Sequence, residues 1–199
     1  MKLAASILIS LLLWNCSSNE PDLEKVEIIP EIEANLNSEF LQQDGAVLLF
    51  ENLPFNGYLV SYSEQGKLIS KAGYINGKRE GKAEQFTENG NLLERRFYAS
   101  NKKVGFHEAW WPNEQKKFEY TFVDGLHHGE YKEWQINGTP YKVFHYVMGF
   151  EDGSQKMWDS DGSIRANYVV RNGHRYGLVG LKNCKSVESN DGEFTSIPF

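Results

Sequence analysis

Short runs that mix aromatic, apolar and polar residues follow one another along most of this chain, with turn residues between them. Residues 129–135 are typical: they have strand composition, Asn137 and Gly138 mark a tight turn, and residues 141–147 form a second β-rich run. Each such stretch predicts a hairpin. Because only about twelve residues remain for a strand and its turn, there is no room for crossover helices and neighbouring strands must pair antiparallel. The pattern predicts an all-β fold, an extended antiparallel β-meander.

The runs belong to a repeat of 24 residues. A glycine recurs at this spacing from Gly57 to Gly177, which indicates internal duplication. Five residues after each of the first five glycines stands an aromatic residue, and these form the first ring column: Tyr62, Phe86, Trp110, Trp134 and Trp158. Seventeen residues after the same glycines stands the second ring column: Tyr74, Tyr98, Phe122, Tyr146 and, in the last unit, Val170. Five hairpin repeats, preceded by half a repeat, are therefore expected over residues 38–182.

These units resemble the MORN-variant repeat of YwqK-family proteins, which are labelled as antitoxins of toxin–antitoxin systems. In the first unit the shared frame consists of Gly57, Tyr62, Gly66, Leu68, Tyr74 and the run Asn76-Gly77-Lys78. The third unit departs from this frame, with Glu114 in place of the turn glycine and Lys116 in place of the apolar residue, and a looser turn is expected there. The resemblance implies an extended sheet used for binding.

The amino-terminal residues predict an export signal. Lys2 precedes an apolar run over residues 3–13, which is typical of a secretory signal peptide and too short to span a bilayer. The signal peptide is predicted over residues 1–15. Its end resembles the lipobox of bacterial lipoproteins, in which a cysteine becomes acylated, although Trp14 and Asn15 stand where small residues are usual. An ordinary signal peptide with a different cleavage site is the alternative.

Cys16 is thus the candidate lipidation site. The polar residues that follow predict a tether to the lipid anchor over residues 16–37, and residues 183–199 are expected to form a C-terminal cap or tail. The expected location is the bacterial cell envelope, where a lipid-anchored protein faces the periplasm or the cell surface.

Composition narrows the class of partner. The net charge is -6, from 21 Lys and Arg against 27 Asp and Glu, so nucleic acid is not an expected partner. Two cysteines are too few for a disulfide framework or a cysteine-rich zinc module. The sequence holds no Gly-x-Ser-x-Gly motif, no His-Glu-x-x-His motif and no glycine-rich phosphate loop. Neither an enzyme nor a cofactor is expected.

The first ring column has two interpretations. The favoured one places its rings, together with the second ring column, in the core that locks one repeat to the next. In the alternative, Trp110, Trp134 and Trp158 form an exposed ladder, with about 10 Å between rings, on which sugars or a peptide stack. Trp111 directly follows Trp110, so it points to the opposite face and is an interface candidate.

Histidine and cysteine provide the remaining candidates. His127 and His128 are placed in an inter-repeat turn, with His107 near the equivalent place one repeat earlier, and their spacing matches no zinc motif. These histidines are expected to decorate turns. Cys184 is a candidate thiol nucleophile, or a metal ligand with His174, although a lone cysteine is usually a packed or idle thiol.

Three functions follow from the sequence, in this order. The first is a non-enzymatic, membrane-anchored repeat scaffold for protein–protein interaction in an extracytoplasmic compartment. The second is a carbohydrate-binding surface that uses the ladder of Trp residues. The third is a thiol or metal protein that uses Cys184.

The lipid anchor can be tested by one substitution. If Cys16 is acylated, the acyl chains rather than a peptide span hold the protein to the membrane. Cys16→Ala is therefore expected to move the protein from the membrane pellet to the soluble fraction, whereas the wild type takes up labelled palmitate. A variant that still sediments with membranes, and a wild type that takes up no label, would contradict lipidation.

Overall fold

The structure, a computed structural model, describes residues 28–180. These residues form strands joined by turns, and they contain no helix, so none that could cross a membrane. The strands are β1 (Glu33–Asn35), β2 (Leu41–Asp44), β3 (Val47–Phe50), β4 (Leu53–Pro54), β5 (Gly57–Tyr62), β6 (Leu68–Ile75), β7 (Lys78–Phe86), β8 (Leu92–Ala99), β9 (Lys102–Lys103), β10 (Gly105–Trp110), β11 (Lys116–Val123), β12 (Leu126–Trp134), β13 (Pro140–Val147), β14 (Phe150–Glu151), β15 (Gly153–Trp158), β16 (Ile164–Arg171) and β17 (His174–Leu178).

One large sheet contains all of these strands except β2, β3 and β4. From β5 to β17 the strands pair antiparallel in chain order, and the two-residue strands β9 and β14 pair with β8 and β13. The predicted antiparallel meander is confirmed. Its first strand, β1, is an exception because it pairs parallel with β5. Glu33–Asn35 fall inside the stretch 16–37 that was predicted as a tether, so sheet pairing begins before residue 38.

The small sheet β2-β3-β4 covers the first hairpin of the large sheet. Leu48 and Phe55 are buried in one cluster with Ala34 of β1 and Tyr74 of β6. The backbone N–H of Leu48 donates to the carbonyl of Gly77, 2.7 Å away. The half repeat that precedes Gly57 therefore packs on the first hairpin, which has no complete repeat before it.

The four middle glycines of the 24-residue column, from Gly81 to Gly153, lie at irregularities in the strand pairing. In the third unit, Tyr98 pairs with Lys103 and Arg95 pairs with Glu108. Two residues lie between Arg95 and Tyr98, but four lie between Lys103 and Glu108, so the side that contains Gly105 carries two extra residues. All six glycines of the column have positive φ angles, between 65° and 145°. At Gly177 a Cβ would also lie 2.7 Å from the carbonyl oxygen of Asn167. Both constraints favour glycine over any L-residue.

Most of the buried side chains lie on one face of the meander, here called the inner face, although Val60, which pairs with Lys71, is buried on the opposite face. In the second ring column Tyr74, Tyr98 and Phe122 are only 6–7% exposed and Val170 is 4% exposed, so the core prediction is correct for these residues. No member of the first ring column is buried, and Tyr62 is 43% exposed. Each of those rings comes directly after a register shift, on the face opposite to its buried neighbours. Its placement in the core was wrong.

A further set of aromatic residues completes the inner face. Tyr120 stacks on Phe118 of its own strand, with ring centroids 4.7 Å apart, and on Tyr131 of the next strand, with centroids 4.9 Å apart. One and two repeats later, Phe144 and Tyr168 are buried at the position of Tyr120 and contact each other across hairpins, 6.2 Å between centroids. These contacts join successive repeats, as aromatic pairs commonly do across strands.

The opposite face, here called the outer face, carries charged side chains in alternating sign. Arg95 lies between two carboxylates, 2.9 Å from that of Glu84 and 3.3 Å from that of Glu108. Lys116 then lies 2.8 Å from Glu108, so the ion pairs continue across the strands. These pairs are only partly exposed, because the Glu84 and Glu108 side chains are 13% and 14% exposed, so the face is less solvated than its charges predict.

The turn of the third unit keeps the geometry of the other turns. Glu114 has a φ of 67°, close to the 83° of Gly138 one repeat later. The N–H of Glu114 donates to the carbonyl of Trp111 at 2.8 Å, and that of Gly138 donates to Gln135 at 2.9 Å. The expectation of a looser turn was therefore wrong. The surrounding strands impose a left-handed conformation that glutamate adopts at a cost of about 1 kcal/mol.

The inner-face core predicts a large difference between two Phe→Ala changes. Phe122 is buried among His107, Tyr120 and His127, so Phe122→Ala is expected to cost about 3–5 kcal/mol of unfolding free energy. Phe150 is 79% exposed, and Phe150→Ala is expected to stay within about 0.5 kcal/mol of the wild type. Urea unfolding followed by circular dichroism measures both. Equal losses in the two variants would show that the inner face is not the core.

Candidate functional site

The structure separates the four Trp residues that the sequence singles out. Trp111 and Trp134 line the same cleft. Trp110 is half-buried on the outer face, where the ammonium of Lys116 lies 4.4 Å from its ring centroid. Trp158 is also half-buried and is not part of the cleft lining. Of the three residues of the predicted ladder, Trp134 alone lines the cleft, and the ladder itself stays a prediction.

The cleft, here called the Trp cleft, lies where the third, fourth and fifth hairpins turn. Its volume is about 670 Å³, which is within the usual range of about 300–1,000 Å³ for ligand pockets. Five of its eleven lining residues are aromatic or aliphatic, and six are charged or polar. It is lined by Trp111, Lys117, Phe118, Glu133, Trp134, Gln135, Ile136, Tyr141, Asp159, Ser160 and Arg165.

Strand bulges supply three side chains of the Trp cleft. In the third hairpin Ala109 pairs with Phe118 and Trp110 with Lys116, which leaves Lys117 as the extra residue. The same register shift occurs one and two repeats later, where the extra residues are Tyr141 and Arg165. A bulge re-aims its side chain relative to the regular alternation of a strand. Sequence reasoning missed this column, although its members stand 24 residues apart.

A hydrogen bond between repeats joins the Trp111 indole to the backbone of Trp134. The Nε1–H of Trp111 donates to the backbone carbonyl of Trp134, with 3.1 Å between the atoms. One repeat later, the side-chain amide of Gln135 donates to the carbonyl of Asp159 over the same distance. Trp111 is half-buried by this arrangement, rather than projecting freely as an exposed interface residue. Its ring is therefore fixed as one wall of the cleft.

The carboxylates that line the Trp cleft have cationic partners, whereas its lysine has no carboxylate nearby among the described residues. The carboxylate of Glu133 accepts a hydrogen bond from the Tyr131 hydroxyl and lies 3.5 Å from Lys142. Asp159 lies 3.9 Å from Arg165. Among residues 28–180, no carboxylate lies within 4.0 Å of the Lys117 ammonium, which instead sits 4.5 Å from the ring centroid of Trp111. The cleft thus combines aromatic walls with one cation that lacks an acidic partner within that range.

The two cysteines lie outside the described residues. Both Cys16 and Cys184 fall there, so neither the lipidation site nor the thiol site has a structural description. His174 is exposed at the start of β17. Within residues 28–180, no group of three or more His, Cys, Asp or Glu side chains is arranged to hold a metal ion.

Two histidines pack inside the protein instead of decorating turns, which corrects the expectation for His107 and His127. His107 is completely buried, and its Nε2 lies 3.0 Å from the carbonyl of Phe97 and 3.1 Å from that of Val104. The ring of His127 lies 4.2 Å from that of Phe122. Burial, together with nearby Lys and Arg cations, lowers the pKa of both histidines.

Comparison with known proteins adds no relative. No protein-family model matches the chain, and no curated protein matches it significantly.

The buried histidines predict a loss of stability in acid. Their folded-state pKa values are lowered, so the unfolded chain takes up protons first, near the ordinary histidine pKa of about 6.5. The unfolding free energy is expected to be largest above that pH and to fall as the pH drops towards 5. Urea unfolding at a series of pH values measures this slope.

His107→Gln provides the matched variant for the pH series. Gln155 occupies the equivalent position two repeats later, fully buried, and donates to the carbonyls of His145 and Asp152 at 2.9 and 3.1 Å. A glutamine therefore fits this position without a titrating group. The variant should show a shallower loss between pH 7 and pH 5 than the wild type. If the unfolding free energy of the variant depends on pH as that of the wild type does, His107 does not contribute to the loss of stability in acid.

Proposed function

We propose that the protein is a non-enzymatic repeat scaffold that binds a segment of another protein in the Trp cleft. The scaffold is anchored through Cys16 to a bacterial membrane and works in an extracytoplasmic compartment. The observation that carries the proposal is the juxtaposition of Trp111 and Trp134 in one cleft, with Lys117 beside them.

The composition of the Trp cleft supports a protein partner. Trp, Tyr and Arg dominate the binding energy of protein interfaces, and all three types line this cleft. The apolar wall contributed by Phe118 and Ile136 suits an apolar side chain of the partner. The Lys117 ammonium lacks a nearby carboxylate among the described residues, so an acidic residue on the partner would complement it. We therefore infer a partner segment that combines an apolar anchor with an acidic side chain.

The fixed geometry of the cleft also favours binding. The Trp111 ring is held by its hydrogen bond to Trp134, and the bulge residues emerge from paired strands. A site on such elements loses little conformational freedom when a ligand binds. The meander itself then acts as a support that presents the cleft.

Carbohydrate is the second candidate ligand. Trp111 and Trp134 of the Trp cleft, with polar Gln135 and Asp159 beside them, are also suitable for stacking and hydrogen bonding a sugar. Against this candidate, Lys117 covers one face of the Trp111 ring and Lys116 one face of the Trp110 ring. Sugar stacking needs bare ring faces, so the protein partner ranks first.

Site-specific crosslinking in cells tests the proposed cleft. Ile136 lies on the cleft and is 56% exposed, so a photoreactive phenylalanine analogue there should crosslink a defined protein partner. The same analogue at Phe150, which is 79% exposed and outside the cleft, is the matched control. Trp134→Ala in the Ile136-labelled protein should lower the crosslinking yield about tenfold or more, because a central aromatic anchor is lost.

The outcomes separate the two candidate ligands. Equal crosslinking from positions 136 and 150, or a yield that Trp134→Ala does not change, would overturn the Trp cleft as the binding site. Retention on cell-wall polysaccharide that Trp134→Ala abolishes, without a protein crosslink, would favour the carbohydrate candidate. The melting temperature of Trp134→Ala is compared with that of the wild type to show that the variant is folded. Lys117→Glu is a second variant, which keeps the aromatic rings of the cleft and reverses the charge at position 117.

A further inference from the structure

A second cleft opens on the inner face of the first two hairpins. Its volume is about 420 Å³. Ala72 and Ala83 form a cross-strand pair at this place, whereas two repeats later the equivalent pair is the stacked Tyr120 and Tyr131. Two small residues thus stand where a ring stack fills the inner face elsewhere. The space that the missing rings leave is the cleft, here called the Ala cleft.

Arg79 places a cation in the Ala cleft without an acidic partner. Its Nε–H donates to the Tyr74 hydroxyl at 3.2 Å, and an Nη1–H donates to the Tyr98 hydroxyl at 3.4 Å. Among the residues that the structure describes, no carboxylate lies within 4.0 Å of its guanidinium. Because each hydroxyl accepts from Arg79, each retains a hydrogen that it can donate to a ligand.

The repeat itself shows what Arg79 lacks. Arg175 occupies the equivalent position four repeats later, and its guanidinium lies 3.0 Å from the carboxylate of Glu151. Glu151 stands 24 residues before Arg175, and the residue 24 before Arg79 is Phe55. The carboxylate that neutralises one arginine is therefore replaced by an aromatic ring at the other.

The other charges of the Ala cleft are already paired. Arg96 forms two hydrogen bonds with the carboxylate of Glu94. Glu84 is held by Lys82 at 3.0 Å and by Arg95 at 2.9 Å. Arg79 is then the one unneutralised charge among the described residues that line the cleft, which suits a monoanion better than a dianion.

We propose that the Ala cleft binds an organic carboxylate that carries an apolar group. The carboxylate is bound by the Arg79 guanidinium with the Tyr74 and Tyr98 hydroxyls, and the apolar group lies against Leu59, Ala72 and Ala83. Either the carboxyl end of a peptide or a free small acid has this chemistry. The proposal is independent of the Trp cleft.

A pair of matched probes tests the proposal on the full chain purified in detergent. N-acetyl-leucine carries the carboxylate, and N-acetyl-leucinamide has nearly the same shape without the charge. The acid is expected to bind with a dissociation constant of about 1 mM or below, and the amide at least about tenfold more weakly. Isothermal titration calorimetry measures both, and added salt should weaken only the acid.

Substitutions then assign the site. Arg79→Gln should weaken binding of the acid about tenfold or more, whereas Arg175→Gln, at the equivalent repeat position, should leave it within about twofold. Ala72→Tyr restores the ring found at this position in later repeats and should block binding while Arg79 remains. A tripeptide that ends in leucine distinguishes the two sources of the carboxylate. If the tripeptide binds more tightly than N-acetyl-leucine, the natural ligand is the carboxyl end of a peptide. If it binds more weakly, the natural ligand is a free small acid.

Several results would overturn the proposal. One is that N-acetyl-leucine and N-acetyl-leucinamide bind equally well. Another is that N-acetyl-leucine does not bind at concentrations up to about 10 mM. The third is that the Arg79→Gln protein binds N-acetyl-leucine as the wild type does. Circular dichroism shows whether each variant folds. If Arg79→Gln fails to fold, the proposal is still tested by the difference between the dissociation constants of the acid and the amide on the wild-type protein.

Discussion

The inner-face rings of this meander can be buried only by each other. All the larger contacts between the described strands join neighbours in a sheet, so no second layer covers the large sheet along its length. Tyr120 is buried by stacking on Tyr131 of the next strand, and Phe144 is buried against Tyr168 of the following hairpin. Each hairpin therefore depends on its neighbours, as in other repeat proteins. The small sheet β2-β3-β4 provides that contact where the first hairpin has no repeat before it.

The same constraint explains where the two clefts lie. At the turns, bulges direct Lys117, Tyr141 and Arg165 away from the regular strand alternation, and the rings there are not needed to bury the inner face. On the inner face, a cleft appears where alanines replace rings, at Ala72 and Ala83. The bulges recur in all five hairpins, whereas the two alanines depart from the repeat, and neither feature removes a strand from the sheet. Repeat scaffolds can acquire binding surfaces in this way because the sheet tolerates local change.

The sequence predicted the fold because its strongest signals are local. The glycine column and the turn residues determine where strands end, and short connections leave antiparallel pairing as the only topology. The second ring column was placed correctly in the core, since Tyr74, Tyr98 and Phe122 alternate regularly with their strand neighbours. The first ring column was misplaced, because each ring directly follows an inner-face residue, such as Ala109 before Trp110, and strand alternation alone then directs it to the outer face.

The candidate site was only partly predictable. Trp111 and Trp134 were singled out from residue type, but their meeting depends on a side-chain to backbone hydrogen bond between repeats, which spacing does not encode. The bulge residues Lys117, Tyr141 and Arg165 differ in chemistry, so their 24-residue spacing gave no recognisable column. His107 was taken for a turn residue, because an isolated histidine gives no sign that two backbone carbonyls will lie beside its Nε2 in the core.

Hydrogen–deuterium exchange of the folded protein tests most directly whether stacking between neighbouring hairpins holds the structure together. If it does, amide protection is greatest in the central strands β10 to β13, where rings have partners on both sides. Protection then falls towards β16 and β17, the last of which is exposed along its whole length. Equal protection of β11 and β17, with all strands exchanging in one step, would contradict this account.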